Sequence, residues 1–542
     1  MPAIELTHVT KRWGGFYGVD DLSLSIADNA FVTLLGPSGC GKTTTLRMIA
    51  GLETPTSGRI VIGDQVVFDS AAGIDVPANR RHVGFLFQNY ALWPNMTVYQ
   101  NIAFGLQNIQ EVLAKVNTSA KKAAGMVKAL SRPLELKAAV LECTDKKGRL
   151  DATKAQVKLI DTYEISMSSA KDLLACKIHQ ATDPVQAAAQ PLAIWRQKLE
   201  SARQAAQMDN SFQLLNSDGH IISVNRKLDP EEIDLRVRRV ARIVKIGAFM
   251  DRYPSELSGG QQQRVAIART LAPEPKVLFM DEPLSNLDAK LRLEMRSELQ
   301  RLHIDTGSTF VYVTHDQMEA MTLATRICLI DNGLLQQYDA PLDIYNRPTN
   351  LFVADFVGNP SINFIDAKAT APQAADGTIP LRVFDGLTMS FRPNTPVDIA
   401  AWLAKQDADD DASAAAEHSN SRAVEKENKQ SSFHHHVARI NEDENSDEES
   451  VAADNDYIIG VRPELMGIRQ TGAVAAEVYS SMPTGMETTV RVAVGNYLLT
   501  GVIFGGAIYK IGQPVNIDFD GDSIMLFHRR NGRLIARGSL NR

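Results

Sequence analysis

Short apolar runs separated by helical segments set the pattern of the first part of the chain. Residues Phe31–Leu35 form a five-residue, largely apolar run, which predicts a buried strand. A glycine-rich stretch, Gly36–Gly41, ends this run, and Lys42–Leu52 continues with helical character. Further strand signals follow at Val277–Met280, Thr309–Thr314 and Ile327–Ile330. Buried strands that alternate with helices indicate an α/β fold with a parallel sheet.

Two segments depart from this alternation. Residues 107–229 are rich in Ala, Lys and Gln and contain only three Gly and three Pro, so a mainly helical segment is predicted. Residues Asn363–Phe391 and Tyr457–Phe527 show short alternating strands with Gly and Pro turns, which predicts an all-β, barrel-like module. Within it, Val492–Tyr509 carries no charge but contains four glycines. We interpret it as two strands around a turn rather than as a membrane span.

Length and charge then limit the class of protein. A chain of 542 residues should hold three or four domains, at about 100–200 residues for each domain. The formal net charge of −7 disfavours a nucleic-acid binder built on a basic surface. Residues 407–456 contain 15 acidic and 4 basic residues, so the acidity is local to a run that cannot form its own core. We interpret the His434–His436 triplet in this run as incidental rather than metal-binding.

Cysteine usage and the N-terminus indicate the compartment. Cys40, Cys143, Cys176 and Cys328 lie far apart, with neither metal-ligand nor disulfide spacing. This usage suits a reducing compartment. The N-terminal residues MPAIELTHVTKRW lack an apolar core and a cleavage site, so they are not interpreted as a secretory signal. We therefore expect a cytoplasmic protein.

One glycine-rich loop carries a phosphate-binding pattern. Gly36–Thr43 reads GPSGCGKT, which fits G-x-x-x-x-G-K-[ST] between a predicted strand and a predicted helix. In such a loop the backbone N–H groups converge on phosphate oxygens at a helix N-terminus. Lys42 is expected to reach the β- and γ-phosphates and the Thr43 hydroxyl to ligate Mg2+. Cys40 is interpreted as a small residue that the loop tolerates, open to thiol reagents.

Two acidic residues complete this chemistry. Asp281 and Glu282 directly follow the apolar run Val277–Met280, which places them at the carboxyl end of a buried strand. Asp281 is expected to hold Mg2+, and Glu282 to orient or deprotonate the attacking water. An acidic pair after a strand is weak evidence for such a site on its own, but together with the phosphate loop it is strong evidence.

A second anion site is predicted before the helix Gln262–Leu271. Leu257–Gln261 reads LSGGQ, and a serine with two glycines at a helix N-terminus favours an anion. A chain that binds one nucleotide has no obvious need for two such sites. The presence of two anion sites is explained if this loop closes over the nucleotide of a partner subunit.

Together these motifs identify a family. The phosphate loop, Gln88 in FLFQNYALWP, LSGGQQQR at 257–264, LFMDEPLSNLD at 278–288 and VTHD at 313–316 occur in the order of ABC transporter ATPases. More closely, the chain resembles the ATP-binding subunits of bacterial carbohydrate importers of the maltose and glycerol-phosphate type. The likeness also includes THDQMEAMTLA at 314–324 and GVRPE at 460–464.

The resemblance implies a role for each matching residue. Trp13 would stack on adenine, the alternative being a Trp packed in a small sheet. Gln88 would contact Mg2+ and the water, His315 would hold the γ-phosphate and the water, and Asp288 would support the opposite site. Asn89–Pro94 would line a groove for a permease helix. The residues assigned to catalysis are Glu282, His315 and Gln88; to Mg2+, Thr43, Gln88 and Asp281; and to ATP, Trp13, Gly36, Pro37, Ser38, Gly39, Cys40, Gly41, Lys42, Thr43, Thr44, Ser258, Gly259, Gly260, Gln261 and Asp288.

The chain departs from the family pattern in two places. Residues 107–229 add on the order of a hundred residues to the helical subdomain. The fold can tolerate an insertion of this length, because long surface insertions cost little loop entropy. The acidic run interrupts the C-terminal module. The predicted organisation is a nucleotide-binding domain at 1–106 and 230–340, the insertion at 107–229, an OB-like β module at 341–406 and 457–542, and an acidic linker at 407–456.

These features predict a P-loop ATPase subunit that works as a dimer with two MgATP at its interface. It would drive two multi-span permease subunits from the cytoplasmic face of the membrane, with an extracytoplasmic solute-binding protein as an indirect partner. A homodimer is the first interpretation. One alternative is an importer for polyamine, iron or sulfate. Another, from a different class, is a soluble ABC ATPase that acts on nucleic acid or ribosomes, against which the single ATPase unit and the β module argue.

Overall fold

The computed structural model describes residues 2–144, 149–384, 386–406, 408, 436–440 and 456–542. The chain divides into two compact units, residues 1–81 with 311–542 and residues 82–310. Most of the acidic run at 407–456, including His434 and His435, lies outside the described residues.

The first unit begins with an antiparallel sheet and continues into buried strands. In spatial order the antiparallel strands are Phe16–Ala27, Pro2–Trp13, Ser57–Ile62, Gln65–Asp69 and Ile74–Asp75. Phe31–Leu35 is buried throughout and pairs in parallel with Arg326–Asp331. Leu334–Asp339 pairs antiparallel on the other side of Arg326–Asp331. Two of the predicted strands are thereby confirmed, because an apolar run of this length is typical of a strand covered on both faces.

Short helices cover these strands. The helices of the first unit include Lys42–Ala50, Gln317–Leu323, Pro341–Asn346, Leu351–Phe356 and the single turns Ala78–Arg80 and Pro463–Leu465. Leu35 and Leu329 from the strands share one core with Ala320, Ile344 and Val353 from the helices. Packing of this kind fixes the ends of the strands, where the predicted functional residues lie.

The C-terminal part of the first unit consists of two β structures. A closed barrel contains, in spatial order, Asn363–Ala369, Ile379–Val383, Leu387–Pro393, Leu534–Asn541, Ile524–His528 and Asp456–Val461. A five-stranded sheet follows the order Met466–Arg469, Pro514–Phe519, Val474–Pro483, Glu487–Val494 and Tyr497–Phe504. The predicted all-β module is confirmed, and Val492–Tyr509 holds the turn of a hairpin, as expected. Among the described residues, no helix combines the length and apolar composition needed to cross a membrane.

The second unit places helices around a parallel strand pair. Val83–Leu86 pairs in parallel with Val277–Asp281, and Thr309–Val313 crosses the division between the units. Its helices include Val98–Leu106, Thr118–Leu130, Pro133–Leu141, Ala152–Tyr163, Met167–Ala175, Pro184–Ala205, Pro230–Ile243, Gly259–Leu271, Ala289–Thr306 and the single turns Ile178–Gln180, Gly247–Phe249 and Pro254–Glu256. The helix predicted from Gln262 begins earlier, at Gly259, because Ser258 caps it.

The insertion has a core of its own. Leu130, Leu159, Ile160 and Leu173 are buried together, with Trp195 packed against them at partial exposure. The mainly helical character of the segment is therefore confirmed. Ile194 is 46% exposed, because Trp195, the next residue, takes the inward position on the helix.

At the base of the insertion, two strands form an antiparallel pair. Gln110–Ala114 pairs with Ser223–Lys227, and Gln110 lies opposite Lys227. The two ends of the insertion are therefore adjacent in space. These two strands were not predicted from the sequence, because the insertion is mainly helical in character.

Candidate functional site

The glycines of the phosphate loop are required by backbone geometry. Gly41, at the N-cap of the helix Lys42–Ala50, has φ of +104°, a conformation that residues with a side chain rarely adopt. A Cβ atom at Gly41 would lie 2.2 Å from the carbonyl oxygen of Gly18. At Gly36 a Cβ atom would lie 2.1 Å from the carbonyl oxygen of Ile330. Side chains are thus excluded at both ends of the loop, because the two glycines pack directly against neighbouring backbone carbonyls.

Lys42 lies inside this loop. Only 6% of the residue is exposed, and its Nζ donates to the carbonyl oxygens of Gly36 at 2.8 Å and Pro37 at 2.6 Å. The same Nζ lies 3.7 Å from Cys40 Sγ. Of the other predicted loop residues, Ser38 and Gly39 are exposed, while Pro37, Thr43 and Thr44 are half-buried. The loop therefore presents polar groups outward and holds its ammonium close to the backbone.

Cys40 is buried, which differs from the expectation of an accessible thiol. Burial raises the pKa of this thiol above its ordinary value, and the nearby Lys42 opposes the shift. A thiol that is both buried and protonated reacts slowly with alkylating reagents, because the thiolate is the nucleophile. Local sequence did not show this, since burial depends on Gly36 packing against Cys40 Sγ.

Trp13 is half exposed at the end of its strand. Its ring stacks on Phe16 with centroids 6.4 Å apart, and Lys11 Nζ lies 5.2 Å from the ring centroid. A Cβ atom at Gly18 would lie 2.5 Å from the ring, so a glycine is needed beside it. The residue thus forms part of a small exposed aromatic surface.

His315 follows the strand Thr309–Val313 and is exposed. Just behind it, the buried carboxylate of Glu319 accepts hydrogen bonds from Tyr312 Oη at 2.7 Å and Thr314 Oγ1 at 2.8 Å. Asp316 caps the helix that carries Glu319. These contacts hold the strand-to-helix turn around His315. Glu319 was not singled out from the sequence, although it lies within THDQMEAMTLA, one of the segments that carry the resemblance.

In the second unit, Gln88 and Glu282 are brought together. Gln88 Nε2 donates to Glu282 Oε2 at 3.2 Å and lies 3.5 Å from Ser285 Oγ. Asn286 Nδ2 donates to the carbonyl oxygen of Gln88 at 3.1 Å. Glu282 has φ of +44°, an uncommon conformation for a residue with a side chain, and buried Asp281 directly precedes it. Asp281 is thus buried, whereas Glu282 is partly exposed.

The LSGGQ residues form the start of a helix of 13 residues. Ser258 Oγ accepts from the backbone N–H of Gln261, and Gln261 Oε1 accepts from the N–H of Ser258. Ser258 and Gly259 are exposed, and a Cβ atom at buried Gly260 would lie 2.6 Å from Leu291. Asp288 caps the next helix by accepting from the N–H of Leu291 at 3.0 Å. An exposed, positively polarised helix end is thus available for an anion.

The chain is similar to several known proteins. The family model described as ABC transporter matches residues 19–150 and 166–285. The trehalose/maltose import ATP-binding protein MalK of Thermococcus litoralis is 37% identical over 370 residues, or 68% of each chain. The sn-glycerol-3-phosphate import ATP-binding protein UgpC of Brucella abortus is 34% identical over 394 residues, or 72% of this chain and 77% of that protein. The solved structure of cbiO1 from Clostridium perfringens matches with a TM-score of 0.39 and 19% identity, over 63% of this chain and 90% of that one.

The resemblance predicted from the motifs is confirmed by these relatives. Both are import ATP-binding proteins, and this chain covers more than two thirds of each. The chain therefore belongs to the ABC transporter family, as an ATP-binding subunit that hydrolyses ATP.

Proposed function

We propose that this ATPase subunit powers an importer for a carbohydrate or a glycerol-phosphate-like solute. The observation that carries the proposal is the length of the similarity to import subunits. A match over 370 residues is longer than the first 340 residues of the chain, so it extends beyond the predicted nucleotide-binding domain. The similarity therefore includes part of the C-terminal region and is not confined to motifs that all ABC ATPases share.

The phosphate loop of the first unit binds ATP in this proposal. Its glycines leave backbone N–H groups free to meet phosphate oxygens, and Lys42 exchanges its two carbonyl contacts for the phosphates. Trp13 stacks on adenine with its exposed ring. Thr43, Gln88 and Asp281 supply hydroxyl, amide and carboxylate oxygens, the donor set that Mg2+ prefers. The ion screens the phosphate charges when bound.

Glu282 serves as the general base for the attacking water. The hydrogen bond from Gln88 Nε2 orients its carboxylate, and Ser285 Oγ, which donates to the carbonyl oxygen of Glu282 at 2.9 Å, holds the strained turn. His315 supports the γ-phosphate, with Glu319 fixing the turn behind it. The chain's own residues thus hold a proton acceptor at a set position, which is what water attack requires.

Two copies of the chain act together in the proposal. Ser258 and Gly260 contact the γ-phosphate of the partner's nucleotide, Gly259 and Gln261 belong to the same ATP-binding segment, and Asp288 supports that site. Ser258, Gly259 and Asp288 are exposed, so a partner can reach them. The dimer works with two multi-span permease subunits at the cytoplasmic face of the membrane, and a solute-binding protein delivers the solute. The β module binds a regulator or stabilises the dimer.

Purification of the assembled transporter tests the function. The tagged chain should purify with two multi-span proteins, and maltose, trehalose or glycerol phosphate should stimulate ATP turnover in proteoliposomes that also hold the binding protein. The Lys42→Ala variant is the control, since it assembles but lacks the phosphate-binding ammonium. Stimulation by a polyamine, iron or sulfate alone would contradict the solute class. Purification with ribosomes or nucleic acid, without membrane proteins, would contradict the importer.

We further propose that the insertion at 107–229 is dispensable for ATP hydrolysis. Its core, which includes Leu130, Leu159 and Leu173, is internal to the segment. Its strands meet at the base, where Glu111 pairs with Arg226. Arg226 donates to both carboxylate oxygens of Glu232, which also belongs to the capping box of the helix Pro230–Ile243. A deletion that keeps Arg226 therefore keeps this contact to the parent helix, although it removes those of Asp234 with Met167 and of Arg242 with Asp161.

Removal of residues 112–225 is the corresponding test. An Asn-Gly turn should join Glu111 to Arg226, because two-residue turns of this type connect paired antiparallel strands. Basal ATP turnover is expected to stay within about threefold of wild type. No residue assigned to catalysis lies in the deleted segment, and changes at distant sites usually act independently of each other. The matched control deletes the same residues and also carries Arg226→Gln, which removes the Glu232 contact and should lower thermal stability. A folded deletion protein that binds ATP but does not hydrolyse it would contradict the proposal.

A further inference from the structure

Two consecutive residues in the loop after Gln88 adopt a left-handed backbone. Tyr90 has φ of +59° and Ala91 has φ of +45°. Left-handed conformations are disfavoured for residues with a side chain, and two in succession are rarer still. Contacts from elsewhere in the unit must therefore hold this part of the Gln88 loop, defined as Gln88–Pro94.

The side chain of Arg269 makes those contacts. Its Nη1 donates to the carbonyl oxygen of Ala91 at 2.6 Å, and its Nη2 donates to that of Tyr90 at 2.8 Å. The guanidinium also lies over the Trp93 ring, 5.0 Å from the centroid. One planar guanidinium thus binds the carbonyl oxygens of both left-handed residues, a geometry that lysine cannot reproduce. Burial lowers the pKa of Arg269, so the group has been withdrawn from water to make these contacts.

Other contacts tie the same loop to the catalytic turn. Tyr90 Oη lies 3.5 Å from the carbonyl oxygen of Pro283, the residue after Glu282. Asn286 holds the carbonyl oxygen of Gln88, and Gln88 itself donates to Glu282. A shift of Tyr90 and Ala91 is therefore passed directly to the pair formed by Gln88 and Glu282.

Arg269 lies near the end of the helix that Ser258 caps. The helix spans Gly259–Leu271, and Arg269 follows Ser258 by eleven positions. At 1.5 Å per residue the two ends are about 16 Å apart along a rigid rod. A displacement of the Ser258 end therefore moves Arg269 and the two carbonyls it holds.

We propose that Arg269 is a positioning residue that links the LSGGQ helix to the Gln88 loop. Closure at Ser258 moves the helix, Arg269 carries the Tyr90–Ala91 backbone with it, and Gln88 and the surface at Asn89–Pro94 change position together. Arg269 touches neither nucleotide nor water and acts through Gln88. The inference rests on the proposed importer function, because the outer side of this loop is the surface assigned to the permease.

Arg264 provides a matched control on the same helix. Its Nη2 forms an ion pair with Glu298 Oε1 at 2.9 Å, which joins the helix to Ala289–Thr306 rather than to the loop. Loss of either arginine removes one helix-anchoring cation. Only the loss of Arg269 removes the hydrogen bonds to the carbonyl oxygens of Tyr90 and Ala91.

The test compares Arg269→Gln and Arg269→Lys with Arg264→Gln in the full transporter. Both Arg269 variants should keep the KM for ATP and lower the solute-stimulated kcat by about tenfold, since they remove an interaction that matters only in the activated state. Adding Ala91→Gly to Arg269→Gln should leave the stimulation low, because glycine adopts the left-handed backbone without strain but does not link the helix to the loop. Arg264→Gln should keep its stimulation, and circular dichroism should show all variants folded.

The outcomes separate this inference from the function on which it rests. A wild-type transporter that solute does not stimulate would overturn the proposed function and the inference together. Wild-type stimulation that persists in a folded Arg269→Lys variant would overturn the inference alone. Equal loss in Arg264→Gln, or restoration by Ala91→Gly, would assign Arg269 a merely structural role and would also overturn it.

Discussion

Replacing Glu282 by Gln is expected to lower ATP turnover by about 10²–10⁴-fold, the usual contribution of a general base. The substitution removes the proton acceptor but keeps the shape of the side chain. Gln88 Nε2, which donates to Glu282 Oε2 at 3.2 Å, can donate equally well to an amide oxygen. ATP affinity should therefore be retained, and the dimer should remain closed around ATP that it cannot hydrolyse.

Phosphate release and sedimentation with MgATP measure the two effects separately. Ser285→Ala is the matched control, because Ser285 Oγ contacts the carbonyl oxygen of Glu282 but carries no base. This control should retain turnover within about tenfold, the scale of a single hydrogen bond worth about 1 kcal/mol. Turnover of Glu282→Gln above about a tenth of wild type would contradict the assignment of Glu282 as the base.

The second large effect is complementation between subunits. Ser258→Arg should abolish hydrolysis, because a long side chain at the exposed helix start fills the anion site. Lys42→Ala should abolish it by removing the ammonium that Gly36 and Pro37 hold. Mixed dimers of the two variants contain one intact composite site, formed by Lys42 of one chain and Ser258 of the other. With half of the dimers mixed and one site in two intact, about a quarter of wild-type turnover should return.

A second variant separates a blocked site from an unfolded helix. Ser258→Asp keeps a side-chain oxygen for the helix cap but places a carboxylate where phosphate should bind. It should also be inactive alone and recover activity with Lys42→Ala. If Ser258→Arg hydrolyses ATP normally by itself, the composite site is wrong. If no mixture recovers activity although mixed dimers form, the two residues do not complete one site.

The contribution of the sequence differs between neighbouring parts of the site. The local structure of the Gly36–Thr43 loop was predicted, because strand, glycines, lysine and helix follow one another within a short stretch. The burial of Cys40 was not, since it depends on packing against Gly36. Ser258 and Asp288 were assigned to the partner's site, and the structure adds that each also caps a helix in its own chain.

The sequence by itself determined the buried strands, the phosphate loop, the helical insertion and the all-β module. Each of these is indicated by the periodicity, glycine spacing or composition of a few to a few dozen neighbouring residues. The tertiary structure alone decided that Gln88 donates to Glu282 and that Arg269 holds Tyr90 and Ala91. Gln88 and Glu282 are 194 positions apart and Arg269 and Ala91 are 178 apart, so no local pattern relates them. Such pairs form only when packed helices and strands bring distant turns together, because a hydrogen bond requires its atoms within about 3 Å of each other.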